Sequence, residues 1–491
     1  MASGINRHKT AISRSEFSRP IKLAIADGLL RPDGAFLDYG CGLGDDLRLL
    51  GEIGILGIGW DPVHRPNQEL RRAPIVNLGY VVNVIEDPTE RQDALRRAWS
   101  LAEEVLIVSA RTTMDGRSLA DVQDYADGFV TSRGTFQKFF DQQELRTWID
   151  QVLQTASIPA APGVFYVFRN QEKRASFMAS RFRRRLAAPR VSRSADFYRR
   201  HEELLRPLIE FVSDRGRLPA DDELANTAEV CAVLGSVRRA FRVIAKVTNT
   251  SNWQEIAQKR KEDTLIYLAL SRFDGRPTFG HLPRALQQDV KAFFTTYKRA
   301  CGEADEILFS LGRLGVIDTA CRQSSAGKLT PSALYVHVSA LETLMPVLRA
   351  YEGCARGYLG HIEGANIVKL HRNEPRISYL HYPTFEDDPH PALSASLTVH
   401  LQTFRVTLDD FQSRANPPIL HRKELFLTPD HPLRAKFARL TEHEEKKGLY
   451  EDTATIGTRE GWNAKLAAKK LYLKGHRLLT RRMDPPDVIP R

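Results

Sequence analysis

The sequence predicts an α/β protein: a Rossmann-like N-terminal domain, then a mainly helical region, then an α+β C-terminal region. Three observations predict it. Residues 36–46, Phe-Leu-Asp-Tyr-Gly-Cys-Gly-Leu-Gly-Asp-Asp, run from an apolar lead-in through an acidic residue into three glycines at alternate positions, then into a helical stretch. Strand-like and helix-like runs alternate from residue 35 to residue 168. Past residue 170 that alternation stops, and longer helical patterns take over.

The chain opens on a basic arm. Arg7, His8, Lys9, Arg14 and Arg19 precede the apolar run from Ile21 to Leu30, with Pro20 suited to a first helical turn and Ser18 to its cap. The arm, with Arg7 and Lys9 as candidate nucleic-acid contacts, is suited to touching phosphate, to folding over a ligand pocket, or to standing in solvent. Residues 35–38 then read as a strand, 46–53 as its helix, 55–60 as the second strand and 75–78 as the next. Helices over 91–102 and 142–152, with strands over 105–109 and 164–168, complete an open, mostly parallel sheet covered on both faces.

A ligand on such a sheet binds beyond the carboxyl ends of the strands, at the switch point. Glycines there allow a tight strand-to-helix turn and a close approach of backbone to ligand. Asp38, Tyr39, Gly40, Cys41, Gly42 and Gly44 are therefore candidate cofactor-binding residues. Asp61 ends the second strand about 20 positions on, where a carboxylate accepts from ribose hydroxyls, and Trp60 beside it suits packing on an adenine. The plainer reading of Asp61 is an Asp-Pro turn with Pro62. Asn77 and Leu78 lie at the carboxyl end of the 75–78 strand. Asn77 can accept from an amine and Tyr80 can stack, which makes them the catalytic candidates by their resemblance in place to the acceptor loop of amino-methyltransferases, although Leu78-Gly79 stands where that loop has Pro-Pro to aim its carbonyls. Asn77 equally suits cofactor contact or a turn cap.

The glycine spacing separates two cofactor classes. A dinucleotide turn reads G-x-G-x-x-G. Here the text is D-x-G-x-G-x-G, which resembles motif I of S-adenosylmethionine-dependent methyltransferases. Residues 79–88, Gly-Tyr-Val-Val-Asn-Val-Ile-Glu-Asp-Pro, resemble the segment after the fourth strand in small methyltransferases. The resemblance implies a class I methyltransferase domain over the first 170 residues, with S-adenosylmethionine as cofactor.

At 491 residues the chain has room for roughly two to four domains, and its texture divides it into 1–170, 171–312 and 313–491. No apolar run approaches the roughly 18 residues of a membrane span, and the start is polar and basic, so a cytoplasmic protein without a membrane partner is expected. Five scattered cysteines without a C-x-x-C pair argue against a disulfide framework, a zinc ribbon or an iron–sulfur site. A net charge of +11 and a pI near 9.4 are compatible with a polyanionic partner.

Residues 171–200 hold ten Lys or Arg against Glu172 and Asp196, interleaved with Phe177, Phe182, Phe197 and Tyr198. Such a stretch suits a nucleic-acid backbone, with Arg181, Arg183, Arg184 and Arg185 as its candidate contacts. The alternative is a linker helix whose aromatics pack on a neighbour. Residues 202–312 read as helical. The last third mixes a helix over 333–349 with strands over 367–370, 377–382, 397–401 and 404–408. Its eight histidines from His337 to His431 lack metal-ligand spacing, so packing or phosphate contact is expected and no metal. Asn416-Pro417-Pro418-Ile419 has the text of an amino-methyltransferase acceptor loop without its aromatic ring, and a turn before a basic segment explains it as well.

Several stretches together resemble the methyltransferases associated with bacterial DNA phosphorothioation systems. They are Arg7-His8-Lys9-Thr10-Ala11, Asp38-Tyr39-Gly40-Cys41-Gly42, Gly59-Trp60-Asp61-Pro62, Val76-Asn77-Leu78-Gly79-Tyr80, Gly134-Thr135-Phe136-Gln137-Lys138, Tyr351-Glu352-Gly353-Cys354-Ala355-Arg356, residues 416–424, and Ile456-Gly457-Thr458-Arg459-Glu460-Gly461-Trp462. The resemblance implies methyl transfer to nucleic acid, DNA in the first instance, beside the other proteins of a modification or restriction system. A second class of function is a DNA-binding accessory or sensor that keeps the fold without transferring a methyl group. A nuclease-like C-terminal domain is a third, and no acidic metal constellation supports it.

Overall fold

The computed structural model describes residues 5–480 apart from 33, 116–121, 185, 187–197, 199, 249 and 314. It divides into two units, Met1–Gly312 and Arg313–Arg491.

The first unit begins with α1 (Arg19–Ala26), β1 (Phe36–Tyr39), α2 (Asp45–Glu52), β2 (Gly57–Trp60), β3 (Ala73–Gly79), α3 (Pro88–Leu101) and β4 (Ala102–Ser109). A small sheet of β5 (Val122–Tyr125), β6 (Gly128–Thr131) and β7 (Phe136–Gln137) precedes α4 (Gln142–Leu153), β8 (Ile158–Ala161) and β9 (Val164–Phe168). The main sheet runs β2-β1-β3-β4-β9-β8, parallel from β2 to β4, with β9 antiparallel to both its neighbours. Strand order reverses at β1, between β2 and β3, so the glycine turn after β1 sits at the switch point. The sequence pattern had no sign of β8 or of the small sheet.

Side-chain parity sets the two faces of this sheet. Leu37, Tyr39, Val76, Leu78, Leu106 and Val108 face α3 and α4, packing with Leu95, Ala98, Leu145 and Ile149. Phe36, Asp38, Ile75 and Asn77 face the other way, the side covered by α2, whose Leu47 lies against Gly57 and Gly59. Local caps fix the helices: Asp87 accepts from the Thr89 and Glu90 amides before Pro88 opens α3, and Asp141 with Glu144 forms a capping box on α4.

The remainder of this unit is helical among the described residues: α5 (Gln171–Arg181), α6 (Glu202–Arg215), α7 (Thr227–Leu234), α8 (Val237–Val247), α9 (Thr250–Leu270), α10 (Arg284–Phe294) and α11 (Tyr297–Ser310). The long α9 is the shared partner, touching α5, α6, α8, α10 and α11.

The second unit contains α12 (Val316–Gln323) and an antiparallel meander of β10 (Lys328–Leu329), β11 (Ala333–His337), β12 (Ile367–His371), β13 (Arg376–His381), β14 (Ala395–His400) and β15 (Val406–Asp410), in that spatial order. The helix α13 (Pro346–Leu359) lies between β11 and β12 in the chain, and α14 (Arg434–Lys446), α15 (Arg459–Ala468) and a terminal hairpin follow. The helix expected over 333–349 is corrected. Ala333, Leu334 and Val336 are buried in a strand paired with β12, and the helix starts only where Pro346 fits its first turn.

Asn416-Pro417-Pro418-Ile419 is a structural splice. The Asn416 carboxamide oxygen accepts from the Glu460 amide at 3.0 Å, Pro417 and Pro418 carbonyls accept from Arg459 and Leu393, and Ile419 is buried beside Trp462. The histidines His390 and His421 pack against Trp462, with His390 bridging the Leu420 carbonyl and Glu444. No helix among the described residues is long and apolar enough to cross a membrane.

Candidate active site

The glycine turn is built by positive φ angles of 89°, 52° and 84° at Gly40, Gly42 and Gly44. These left-handed conformations cost an L side chain energy and cost glycine little. The Gly40 and Cys41 amides donate to the Trp60 carbonyl at 2.7 and 3.1 Å, which ties the turn to the end of β2. A Cβ at Gly40 would stand 2.3 Å from the Val81 Cγ2, so the turn is packed on the loop after β3. Asp61 completes the link. One carboxylate oxygen accepts from the Gly42 amide at 3.1 Å, and the other from the Val63 and His64 amides at 2.9 and 2.8 Å. Asp61 therefore makes the Asp-Pro turn and also pins the glycine turn at the pocket.

A cavity of about 180 Å³ lies against this turn, lined by the backbone of residues 40–44 and by Asp45, Asp61, Tyr80 and Glu90. The N-terminal segment forms its outer wall. Asp45 accepts from the Arg14 amide and Asp46 from the Ser18 amide, each at 2.7 Å, while Ala11 lies 3.2 Å from where a Gly42 Cβ would be. Arg7 clamps the segment down, pairing with Glu86 at 2.8 Å and Glu90 at 2.6 Å. Of the basic arm's two candidates for nucleic acid, Arg7 is corrected to this internal clamp, and Lys9 is exposed.

A second cavity of about 750 Å³ adjoins the first and shares Arg14 and Tyr80 with it. It opens at the carboxyl ends of β3 and β4, between Tyr80, Asn83 and Arg111. Tyr80 stands at the junction with a φ of 59°, a costly conformation for a bulky residue. Its amide donates to the Ser109 carbonyl at 2.9 Å, which anchors the strained turn to β4. Burial raises the Tyr80 hydroxyl pKa, while Arg19, Arg14 and Arg111 draw it back down.

Parity sorts the other expected residues. Tyr39 and Leu78 lie in the core beneath α3 and α4, and Trp60 packs tilted against Tyr39 with ring centroids 4.8 Å apart, under Arg97. None of the three lines either cavity, so their cofactor roles are corrected to packing. Asn77 is only 2% exposed. Its amide nitrogen donates to Asp38 at 2.8 Å, behind Gly79, so it ties β1 to β3 and does not face an acceptor. Of the catalytic pair, Tyr80 alone lines the cavities. Arg14 belongs to the basic arm expected to touch phosphate or fold over a pocket, and it lines both cavities. Asn83 and Arg111 were missed, and the signal for Asn83 was an amide inside the apolar run Val81-Val82-Asn83-Val84.

Asp38 is buried, and desolvation pushes its carboxyl up to about 7, with the Asn77 hydrogen bond opposing and Asp46 adding to the rise. Between the ordinary value of 3.8 and about 7 the folded chain holds a proton that the unfolded chain has lost. Stability from this group is complete below the lower value and falls as pH rises to the higher one. Asp38→Asn removes the titration. In denaturant unfolding, its stability relative to the parent should improve steadily from pH 4 to 7, by up to about 4 kcal/mol, and level off above. A difference that stays constant across that window would overturn the assignment.

Among the described residues of the basic segment, Arg181, Arg183 and Arg184 turn their charge inward. Arg181 donates to the Pro159 carbonyl at 2.8 Å and lies over Phe177. Arg183 pairs with Asp214 at 2.8 Å, and Arg184 is buried against Asp263 and Glu262, both at 2.6 Å. Lys173 and Arg174 pair with Glu104 and Asp274. These positions staple α5 and its C-terminal extension to the sheet and to α6 and α9, which corrects the expected nucleic-acid grip. Arg185 lies outside the described residues.

A parallel sheet with one reversed strand, a glycine turn at the switch point and an acidic end on β2 define a Rossmann-like domain. No protein-family model matches the chain, and no curated protein matches it. Three solved structures illustrate what it is similar to. The sugar N-methyltransferase KedS8 from Streptoalloteichus sp ATCC 53650 shares 14% identity over 32% of this chain and 88% of its own, with a TM-score of 0.25. The 1,6-didemethyltoxoflavin-N1-methyltransferase from Burkholderia thailandensis, with bound S-adenosylhomocysteine, shares 15% over 30% and 76%, with a TM-score of 0.23. The magnesium protoporphyrin IX methyltransferase from Synechocystis PCC 6803 shares 15% over 34% and 94%, also at 0.23.

Proposed function

We propose that the chain is an S-adenosylmethionine-dependent methyltransferase whose acceptor is nucleic acid, DNA in the first instance, working beside a bacterial DNA phosphorothioation system. The observation that carries the reading is the pair of adjoining cavities at the switch point, meeting at Tyr80. The smaller one fits the cofactor in its chemistry. Asp45, Asp46, Asp61 and Glu90 outnumber Arg7 and Arg14 around the glycine turn, a balance that suits a ligand with ammonium and sulfonium charges better than the pyrophosphate of a dinucleotide. Asp61 and the backbone of residues 40–44 would hold it. The cofactor supplies a methyl group already activated on sulfur. What remains for the protein is alignment of donor and acceptor, which the rigid Tyr80 turn between the cavities favours. The nucleic-acid part of the proposal rests on the net charge of +11, on the arginines of the larger cavity, and on the family resemblance.

A second reading, a DNA-binding sensor that keeps the cofactor site without transferring a methyl group, is favoured by Asn77 lying outside the cavities. Isothermal titration with S-adenosylmethionine, followed by radiolabelled methyl transfer to DNA, phosphorothioated DNA and RNA, separates the two. Micromolar binding with label in DNA is expected. Binding without transfer to any of the three favours the sensor, and no binding by the intact chain removes both.

A further inference from the structure

We propose that the larger cavity is a nucleotide site, in which Arg14 and Arg111 hold a phosphate and Asn83 reads an amino group on the base. The inference rests on the nucleic-acid reading above and deepens it by assigning the residues and the edge of the base.

Three features of the cavity point to this ligand. Arg14 and Arg111 both line it, and neither guanidinium has a hydrogen-bond or ion-pair partner among the described residues. That contrasts with Arg7, Arg183 and Arg184, which are paired internally. The acidic side chains on the cavity wall are already engaged. Glu16 pairs with Lys22 at 2.7 Å, and Asp115 accepts from the Thr112 amide and hydroxyl at 2.7 and 3.0 Å. The cavity therefore offers two guanidiniums with their donors available, groups whose chemistry suits phosphate oxygens.

Asn83 supplies the second feature. It is 1% exposed, its amide nitrogen donates to Gln137 at 3.1 Å, and its carboxamide oxygen is buried with no hydrogen-bond partner. An orphaned acceptor of this kind is costly to bury unless a ligand or water satisfies it. An N–H donor is the group it lacks. The third feature is Tyr80, an aromatic side chain lining the cavity at the junction, of the kind on which a base can stack. A volume of about 750 Å³ is ample for one nucleotide, free or turned out of a strand.

The test uses the full chain without cofactor, so that it is independent of methyl transfer. Titrate dAMP, dCMP, dTMP and a fluorescent single-stranded 12-mer into the parent and into Arg14→Gln, Arg111→Gln and Asn83→Ala. The arginine variants should fold normally, because neither side chain has an internal partner. Each should weaken binding at least tenfold, and the Arg14→Gln, Arg111→Gln double variant should lower the salt slope for the 12-mer by about 0.7, the one single-strand phosphate contact the two arginines share. Asn83→Ala should weaken dAMP and dCMP, which carry amino groups, more than dTMP. If only the 12-mer binds and the variants weaken it, the source is a strand and the site stands. Strand binding untouched by the arginine variants, or no binding of either probe, overturns the proposal. Retained nucleotide binding in a chain that fails to bind S-adenosylmethionine would leave this site intact and remove the methyltransferase reading alone.

Discussion

Gly40→Ala is expected to weaken S-adenosylmethionine binding by at least 100-fold in titration calorimetry while the chain stays folded. Two costs add at this position. A φ of 89° is a conformation that alanine adopts only with strain, on the order of 1–2 kcal/mol. The new methyl also meets the Val81 Cγ2 at 2.3 Å, far inside contact distance. Valine is stiff about χ1, so it does not swing clear, and the two loops must separate. That separation displaces the Gly40 and Cys41 amides from the Trp60 carbonyl and moves Tyr80, which follows Gly79 directly before Val81. The buried cluster beneath α3 and α4 lies on the opposite face from Asp38, and Val81 packs on it only as a partly buried neighbour, so the fold should hold. Adding Val81→Ala removes the clash and leaves the φ strain, so about a tenfold recovery is expected. Cofactor affinity within threefold of the parent in Gly40→Ala would show that the turn does not hold the cofactor.

What the sequence made legible is what its local chemistry dictates. Positive φ at three alternate positions demands glycine, and the turn stands where residues 40–44 were expected to make it. Strands β12 to β15 are written in short apolar runs, and they fall within about two residues of the expected spans. Parity across the sheet was harder. Asp38 and Tyr39 are neighbours in the chain but point to opposite faces, as do Asn77 and Leu78. Adjacency to a glycine turn does not say which of each pair meets a ligand, and none of the four reaches the cavities. Charge was harder still. Arg184 finds its carboxylates 78 and 79 residues away, and Arg7 finds its own 79 and 83 away. A basic run in the text carries no sign of such distant partners, so a staple and a phosphate grip read alike.

Arg184→Met separates the staple from the grip. In the folded chain the Arg184 side chain is 7% exposed. Its guanidinium donates to Asp263 at 2.6 Å, to Glu262 at 2.6 Å and to the Lys259 carbonyl at 2.9 Å. Removing one partner from a buried pair leaves the other charge without compensation, which typically costs about 3–5 kcal/mol. Arg260 also reaches Asp263 at 3.2 Å, so the lower end of that range is expected. The loss should appear as a lower denaturant midpoint for the first unit. DNA affinity and its salt slope, measured at low temperature where the variant is folded, should match the parent. A phosphate contact predicts the reverse: unchanged stability with a slope reduced by about 0.9 for duplex DNA. Arg184→Met combined with Asp263→Leu supplies the control. Replacing both charges by apolar groups removes the uncompensated carboxylate, so part of the lost stability should return. A surface grip would gain nothing from the second change, because Asp263 would then have had no buried charge to satisfy.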